Sequence, residues 1–370
     1  MRVISLLTLC LMFVAPLANA QIPPRQSTVE TMDDPSENWF ISLVWGGGGA
    51  YIYDGITGEM QGLLSLSPHT PAVQTNPARK EFYAAESFYS RGVHGERTDL
   101  LTIYDYENLS PVAEVEIPKK ITILSLRTYI QLMSGGRHVG VFNMTPAASV
   151  TIVDVVDRSF VGEVSTPGCA LIMAVGNNDF LMICGDGSMQ LIQLDDDGNE
   201  ANRVRSGEFF SVEDDPVFDR PVPFNSGWLL VSHLGQVFHV TVDGDDIDIS
   251  DAWSMLSEED TDEEWRPGGG QLKSVHEGTG LMYILMHQGG EYTHQDPGTE
   301  VWVYNLLTQK RIARMELEVE TSNIMVTQES EPKLIISDEE GGLHIYDALK
   351  LKLDRTIEDP GPTPSLLQDF

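Results

Sequence analysis

Short apolar runs separated by polar turns fill almost the whole chain, and one phrase of that pattern recurs. Thr102-Ile103-Tyr104-Asp105 is followed by Leu109-Ser110-Pro111-Val112-Ala113-Glu114-Val115, which predicts a strand, a tight turn and a second strand. The phrase returns as Tyr51-Ile52-Tyr53-Asp54 with Gly58, and as Thr151-Ile152-Val153-Asp154 with Val161-Gly162-Glu163-Val164. Degraded copies are Leu191 to Asp195 and Phe238 to Asp243; clearer ones are Val301-Trp302-Val303-Tyr304-Asn305 and His344-Ile345-Tyr346-Asp347. These are about seven copies, spaced roughly 40–60 residues apart, the period of propeller blades. A two-strand unit cannot bury both faces alone, whereas blades stacked around an axis bury them and leave few edges. The expected fold is an all-β, seven-bladed propeller over residues 39–370, with each Asp or Asn bonded to the backbone of its turn.

The rest of the chain is read against that repeat. Residues 21–38, with Pro23-Pro24 and Asp33-Asp34-Pro35, predict an extended N-terminal arm. Trp39 to Trp45 predicts the first strand, His69 to Val73 an inner strand, and Ile121 to Leu126 another strand. Gly46 to Gly49 fits a tight hairpin or a close backbone approach; a phosphate loop is disfavoured, since neither a helix nor Gly-Lys-Ser/Thr follows. Two polar insertions exceed what a hairpin needs, Tyr89 to Asp99 and His287 to Thr299, and such loops often carry function. Asp251 to Leu256 predicts one helical turn, and the acidic run Glu258 to Glu264 a solvated loop. The last segment, Pro362 to Phe370, resembles inner strands such as Thr70 to Val73. It is expected to close the ring by pairing beside Trp39 to Trp45.

Residues 1–20 predict a cleaved signal peptide: Arg2, an apolar run from Leu6 to Leu17, then Ala18-Asn19-Ala20. The apolar run is too short to span a bilayer, and a retained anchor is the alternative. Export to an oxidising compartment leaves Cys169 and Cys184, which bracket a hairpin and most simply pair; two free buried thiols are the alternative. A hydrophobic share of 41% allows a substantial core. The formal charge of −33 would repel nucleic acid and anionic membranes. It fits either a solvated surface or an acidic patch for a protein partner.

Candidate chemistry is thin. His287, Glu291 and His294 lie close in sequence, but their spacing is not that of a helical metal pair and they sit in a Gly-rich loop. Serine elbows are absent from a strand–turn–helix context. Taken alone, the residues point to a secreted β-propeller whose long loops bind something, with no catalytic residue and no metal site on this chain.

Several runs go further. Phe82 to Gly92 with Gly95-Glu96-Arg97-Thr98-Asp99, Tyr104-Asp105 to Pro111, and the Cys169 to Cys184 hairpin with Gly185-Asp186-Gly187-Ser188 form one set. Trp265-Arg266-Pro267-Gly268-Gly269, then Met286-His287 to Gly290 with His294 and Glu300-Val301-Trp302-Val303, complete it. Together they resemble the heavy subunit of the quinoprotein amine dehydrogenases, the methylamine and aromatic amine dehydrogenases. The resemblance implies a periplasmic seven-bladed propeller in a complex of two heavy and two light subunits. It places the tryptophan tryptophylquinone cofactor on the light subunit, and it implies oxidation of primary amines to aldehyde and ammonia. Electrons then pass to a cupredoxin such as amicyanin or azurin. It also implies an aromatic wall of the substrate channel, and the matching position is Tyr51. Tyr where the family usually has Phe, and the glycines beside it, depart from the pattern and leave the preferred amine open. An ordinary strand aromatic in the core is the other reading of Tyr51. The competing functions are a stand-alone periplasmic binding propeller without a light subunit, and a propeller enzyme such as a metal-dependent lactonase.

Overall fold

The computed structural model describes residues 31–44, 46–120, 124–358 and 360–370. The expected signal peptide, residues 21–30 of the expected arm, and residues 121–123 of an expected strand lie outside them. The described chain is almost entirely antiparallel sheet. Each of the five separate sheets runs in strand order from an inner strand to an outer one.

The closing sheet has the order Leu366–Asp369, Trp39–Val44, Gly49–Asp54, Met60–Ser65. Next come Val73–Asn76 to Pro111–Ile117, Ile130–Leu132 to Ser159–Ser165, and Cys169–Val175 to Glu200–Arg205, each of four strands. A five-stranded sheet runs from Val222–Phe224 to Asp246–Ile249, with Trp253–Ser254 added against Gln236–Asp243. The remaining strands, from Trp265–Pro267 to Lys352–Ile357, form one sheet of eight.

The expectation of seven blades is therefore corrected. The described residues form five separate blades of four or five strands, and a single continuous sheet of eight. Its cause is Lys310–Val326, a strand of 17 residues. That strand pairs with Gly298–Asn305 through its first half and with Lys333–Asp338 through its second, so the ladder never breaks between the last two copies of the repeat.

Three local expectations also shift. The inner strand expected at His69 to Val73 forms over Val73–Asn76, because Ser67 and Thr70 close a turn, with Thr70 N–H and Oγ1 both donating to Ser67 O. Trp253–Ser254 is strand rather than helix. The one α-helix among the described residues is Glu258–Asp262, inside the acidic run read as a loop. Ser257 and Asp260 form a reciprocal capping box there, and Arg311 anchors Asp260 at 2.8 and 2.9 Å.

The recurrent Asp or Asn does what the repeat requires. Asp54 Oδ1 accepts from the N–H groups of Ile56 and Thr57, Asp154 Oδ1 from Val156 and Asp157, Asp195 Oδ1 from Asp197 and Asn199. Asn305 and Asp347 bond Thr308, and Leu349 and Lys350, in the same way. A bulge beside the turn recurs with it, between Ile52 and Tyr53, Ile103 and Tyr104, Ile152 and Val153, and Ile345 and Tyr346. Outermost strands such as Glu200–Arg205 and Lys352–Ile357 are mostly exposed and carry charged side chains, which protects the open edges. Strands nearer the axis are buried on both faces, as all six residues of Trp39–Val44 show.

Closure rests on the last strand. Leu366–Asp369 pairs antiparallel with Trp39–Val44. Gln368 clamps Val73 on one side, its Oε1 accepting from Val73 N at 3.3 Å and its Nε2 donating to Val73 O at 2.9 Å. Gln271 clamps Leu367 from the other side in the same two-point manner, both at 2.8 Å. Phe370 packs edge-on against Trp39, Phe82 and Tyr106 with ring centroids 5.7–6.2 Å away. Burial of Leu366 and Leu367 contributes about 2–3 kcal/mol each. Truncation before Pro362 is expected to lower the thermal midpoint by at least about 10 °C in calorimetry. An unchanged midpoint would show that closure does not depend on this strand.

Candidate functional site

Because the antiparallel strands of each repeat run from inner to outer, the second-to-third-strand turn of a repeat lies at the same end as the crossovers between repeats. Backbone bonds join the two sets: Gly46 N to Pro68 O at 3.0 Å, Thr166 N to Ala148 O at 2.9 Å, Gly185 N to Gly168 O at 2.8 Å, His233 N to Pro216 O at 2.9 Å and Gly289 N to Glu264 O at 3.0 Å. This crossover face gathers both long insertions, the glycine run and the cysteine hairpin. The Asp turns occupy the opposite face.

Tyr51 lies in Gly49–Asp54, between Ser42 and Leu63 on the flanking strands, and is half-buried. Its ring rests against Gly49 and Gly361, where an added Cβ would sit 3.1 and 3.5 Å from it. Gly361 belongs to the crossover that leads into the last strand, so Tyr51 lies just beneath the crossover face. Gly48 has φ +68°, and a Cβ there would lie 2.6 Å from Leu66 O. The glycine run thus serves as both a turn and a close backbone approach.

Cys169 and Cys184 are directly opposed across their hairpin and are joined as a disulfide. They border an apolar groove of about 410 Å³. Phe142, Leu171 and Phe210 line it, and Met144 and Val212 are exposed at its lip. Tyr51 and the disulfide share the face but sit on different sheets. Exposed apolar side chains recur on this face at the loop tips, with Tyr292 89% and Val93 80% exposed. The opposite face also exposes Ile56, Val156, Leu307 and Leu349, in the turns of Asp54, Asp154, Asn305 and Asp347.

His287, Glu291 and His294 diverge. His287 is buried and its Nε2 lies 3.0 Å from Thr293 Oγ1; that hydroxyl donates to Gly290 O, so the ring is the donor to it. His294 stacks on His233 with centroids 4.5 Å apart, and Glu291 is exposed. Burial lowers the His287 pKa; burial and then the His294 ring lower that of His233. Among the described residues no group of three or more His, Cys, Asp or Glu converges to hold a metal ion.

The motifs that stood out in the sequence hold the fold. Arg97 donates to both Asp99 oxygens at 2.7 Å, and Asp99 also accepts from Lys120 N at 2.6 Å, which ties the long hairpin to the next crossover. Gly268 leaves room for His287, whose ring would lie 2.4 Å from an added Cβ. Trp265 packs on Trp302 at 5.2 Å, under the guanidinium of Arg314.

Two buried lysines had no signal in the sequence. Lys120 and Lys273 are 1% and 2% exposed. Burial lowers each pKa to about 7, with Asp99 opposing the shift at Lys120, and Arg220 adding to it at Lys273. Lys273 Nζ donates to Arg220 O.

A family model described as methylamine dehydrogenase heavy chain (MADH) matches residues 46–369. The methylamine dehydrogenase heavy chain of Methylophilus methylotrophus is 27% identical over 322 residues, covering 86% of this chain and 78% of that one. That of Methylobacillus flagellatus is 28% identical over 325 residues, covering 86% and 81%. Among solved structures, a dihydro-heme d1 dehydrogenase superposes with TM-score 0.55 at 14% identity, over 93% of this chain and 77% of that chain. A putative 6-phosphogluconolactonase from Bacteroides fragilis gives 0.56 at 10% identity, over 93% and 99%. At such identities the two structures share the propeller fold alone.

The lysines carry a pH signature. A lysine whose folded pKa lies below its unfolded value binds fewer protons in the native state, so stability rises with pH between about 7 and 10.5. The slope is at most about 1.4 kcal/mol per pH unit for each group. Urea unfolding between pH 7 and 9 is expected to show a rise that Lys273→Met reduces. An equal rise in both proteins would show that Lys273 is charged in the native state.

Proposed function

The chain belongs to the methylamine dehydrogenase heavy-chain family, and from that premise we propose that it is the heavy subunit of a periplasmic, tryptophan tryptophylquinone-dependent amine dehydrogenase. The light subunit carries the quinone, which supplies the oxidation of a primary amine to aldehyde and ammonia. The complex has two heavy and two light chains, and electrons leave it for a cupredoxin such as amicyanin or azurin. This chain supplies shape and shelter, and the crossover face is the surface that holds the light subunit.

One observation carries the reading: the match to the family runs through residues 46–369, nearly the whole described propeller. The chain's own side chains are consistent with a scaffold. The neighbouring rings Trp265 and Trp302 are buried, and Trp302 lies beneath Arg311 at 4.1 Å. The cysteines are joined to each other, so neither is a nucleophile.

Tyr51 is the residue that reaches the chemistry from this chain. It forms part of the channel wall beneath the crossover face, steadied by Gly49 and Gly361. A wall of this kind excludes water around the reacting amine and limits the length of its side chain. The Tyr51 hydroxyl makes that wall more polar than a Phe would.

Purification from the native host is expected to yield a small, quinone-absorbing subunit with the chain; a clean monomer would favour a stand-alone binding propeller. In the assembled complex, Tyr51→Ala is expected to raise kcat/KM for long-chain amines relative to methylamine by about tenfold, the scale of a few methylenes in an apolar pocket. An unchanged ranking would remove Tyr51 from the channel.

A further inference from the structure

The groove beside the disulfide is built as a preformed socket. Its floor is Leu171 and the Cys169–Cys184 bridge, and Phe142 and Phe210 form its walls. The Phe210 wall belongs to the crossover 206–221, which is pinned at several points. Phe209 N donates to Gly187 O at 3.0 Å, and Phe209 packs edge-on against Phe238 at 5.2 Å. Ser232 Oγ and Leu234 N donate to the two oxygens of Asp215 at 2.7 and 2.8 Å. Gly187 has φ +81°, and a Cβ there would collide with Phe210 O at 2.3 Å, so the wall closes in only because that residue is glycine. The socket therefore exists before anything enters it, which lowers the entropy cost of binding.

Its rim is acidic. Arg205 and Arg220 are already paired with Asp186 and Asp219. Glu208, Glu213 and Asp214 are exposed and make no ion pair among the described residues. A second copy of a chain with net charge −33 would meet repulsion there. An apolar side chain flanked by cations would meet a fitted cavity and an attractive rim.

We propose that this groove receives one large aliphatic or aromatic side chain of the light subunit, carried on a segment whose neighbouring residues are Lys or Arg. The proposal rests on the heavy-subunit reading above. The apolar knob provides affinity once buried, and the basic flank provides orientation and on-rate. Met144 and Val212 form the lip, and both are partly exposed in the isolated chain. Charged replacements there should leave the fold intact.

The test uses the full heavy chain and the small subunit purified from the native complex, with binding measured by biolayer interferometry. Met144→Glu with Val212→Glu is expected to weaken binding at least tenfold while the circular dichroism and thermal midpoint stay those of the wild type. Glu213→Lys with Asp214→Lys is expected to weaken binding several-fold at low salt, with the difference shrinking above about 0.5 M salt as the charges are screened. Wild-type affinity in both variants would overturn the groove as the docking site and leave the family reading standing. A change in heavy-chain self-association without a change in small-subunit binding would assign the groove to a second copy instead. Failure of the wild-type chain to bind any small subunit would overturn the heavy-subunit reading itself.

Discussion

Everything in this fold hangs on a strand of four residues. Leu366–Asp369 comes from the end of the chain yet occupies the innermost position of a sheet whose other strands come from its beginning. A ring closed this way holds together only if the terminal strand is held as firmly as a strand inside a hairpin. The two glutamines supply that hold. Gln368 and Gln271 each use both ends of the amide on a neighbouring backbone, so the strand is fixed in register from both sides. The Arg127–Asp369 ion pair adds a link to the sheet that starts at Ile130–Leu132.

Closure leaves the two ends of the barrel-like ring with different work. At one end, Asp54, Asp105, Asp154, Asp195, Asn305 and Asp347 satisfy turn N–H groups with their own side chains, which makes short, self-contained hairpins. At the other, crossovers and long hairpins bond to one another, and backbone there is free to be shaped for a partner. The residues that look most distinctive in the sequence serve this second end indirectly. Arg97 and Asp99 tie a hairpin to a crossover, and Gly268 admits His287. They are fold-holding parts of a face, and the chemistry of an amine dehydrogenase need not touch them.

Charge gives that face its character. The chain is strongly acidic throughout, so acidity alone marks no site. What distinguishes the groove beside Cys169–Cys184 is the combination of an apolar interior with a bordering crossover on which Glu208, Glu213 and Asp214 make no ion pair among the described residues. Elsewhere several arginines are committed internally, as Arg314 to Glu300 and Arg137 to Asp154 and Asp157 show. A surface with this pattern selects its partner by sign as well as by shape.

The repeat, the strand–turn–strand unit, the turn role of its Asp and Asn residues at every copy but Asp243, and the closing segment were legible in the sequence, because period and turn chemistry are local properties. So was the cysteine pairing, since the expected export leaves two cysteines that bracket one hairpin, and so was the heavy-chain resemblance, which rests on runs of named residues at fixed spacing. The number of separate sheets was not legible. It depends on whether a hydrogen-bonded ladder breaks between two repeats, and Lys310–Val326 carries its ladder through. The helix at Glu258–Asp262 escaped for a related reason: Arg311, distant in sequence, compensates a buried Asp260 inside an acidic run. The divergence of His287, Glu291 and His294, the two buried lysines and the groove beneath Met144 arise where segments far apart in the chain meet. Burial, desolvation and cavity shape are properties of that meeting, and no stretch of residues carries them by itself.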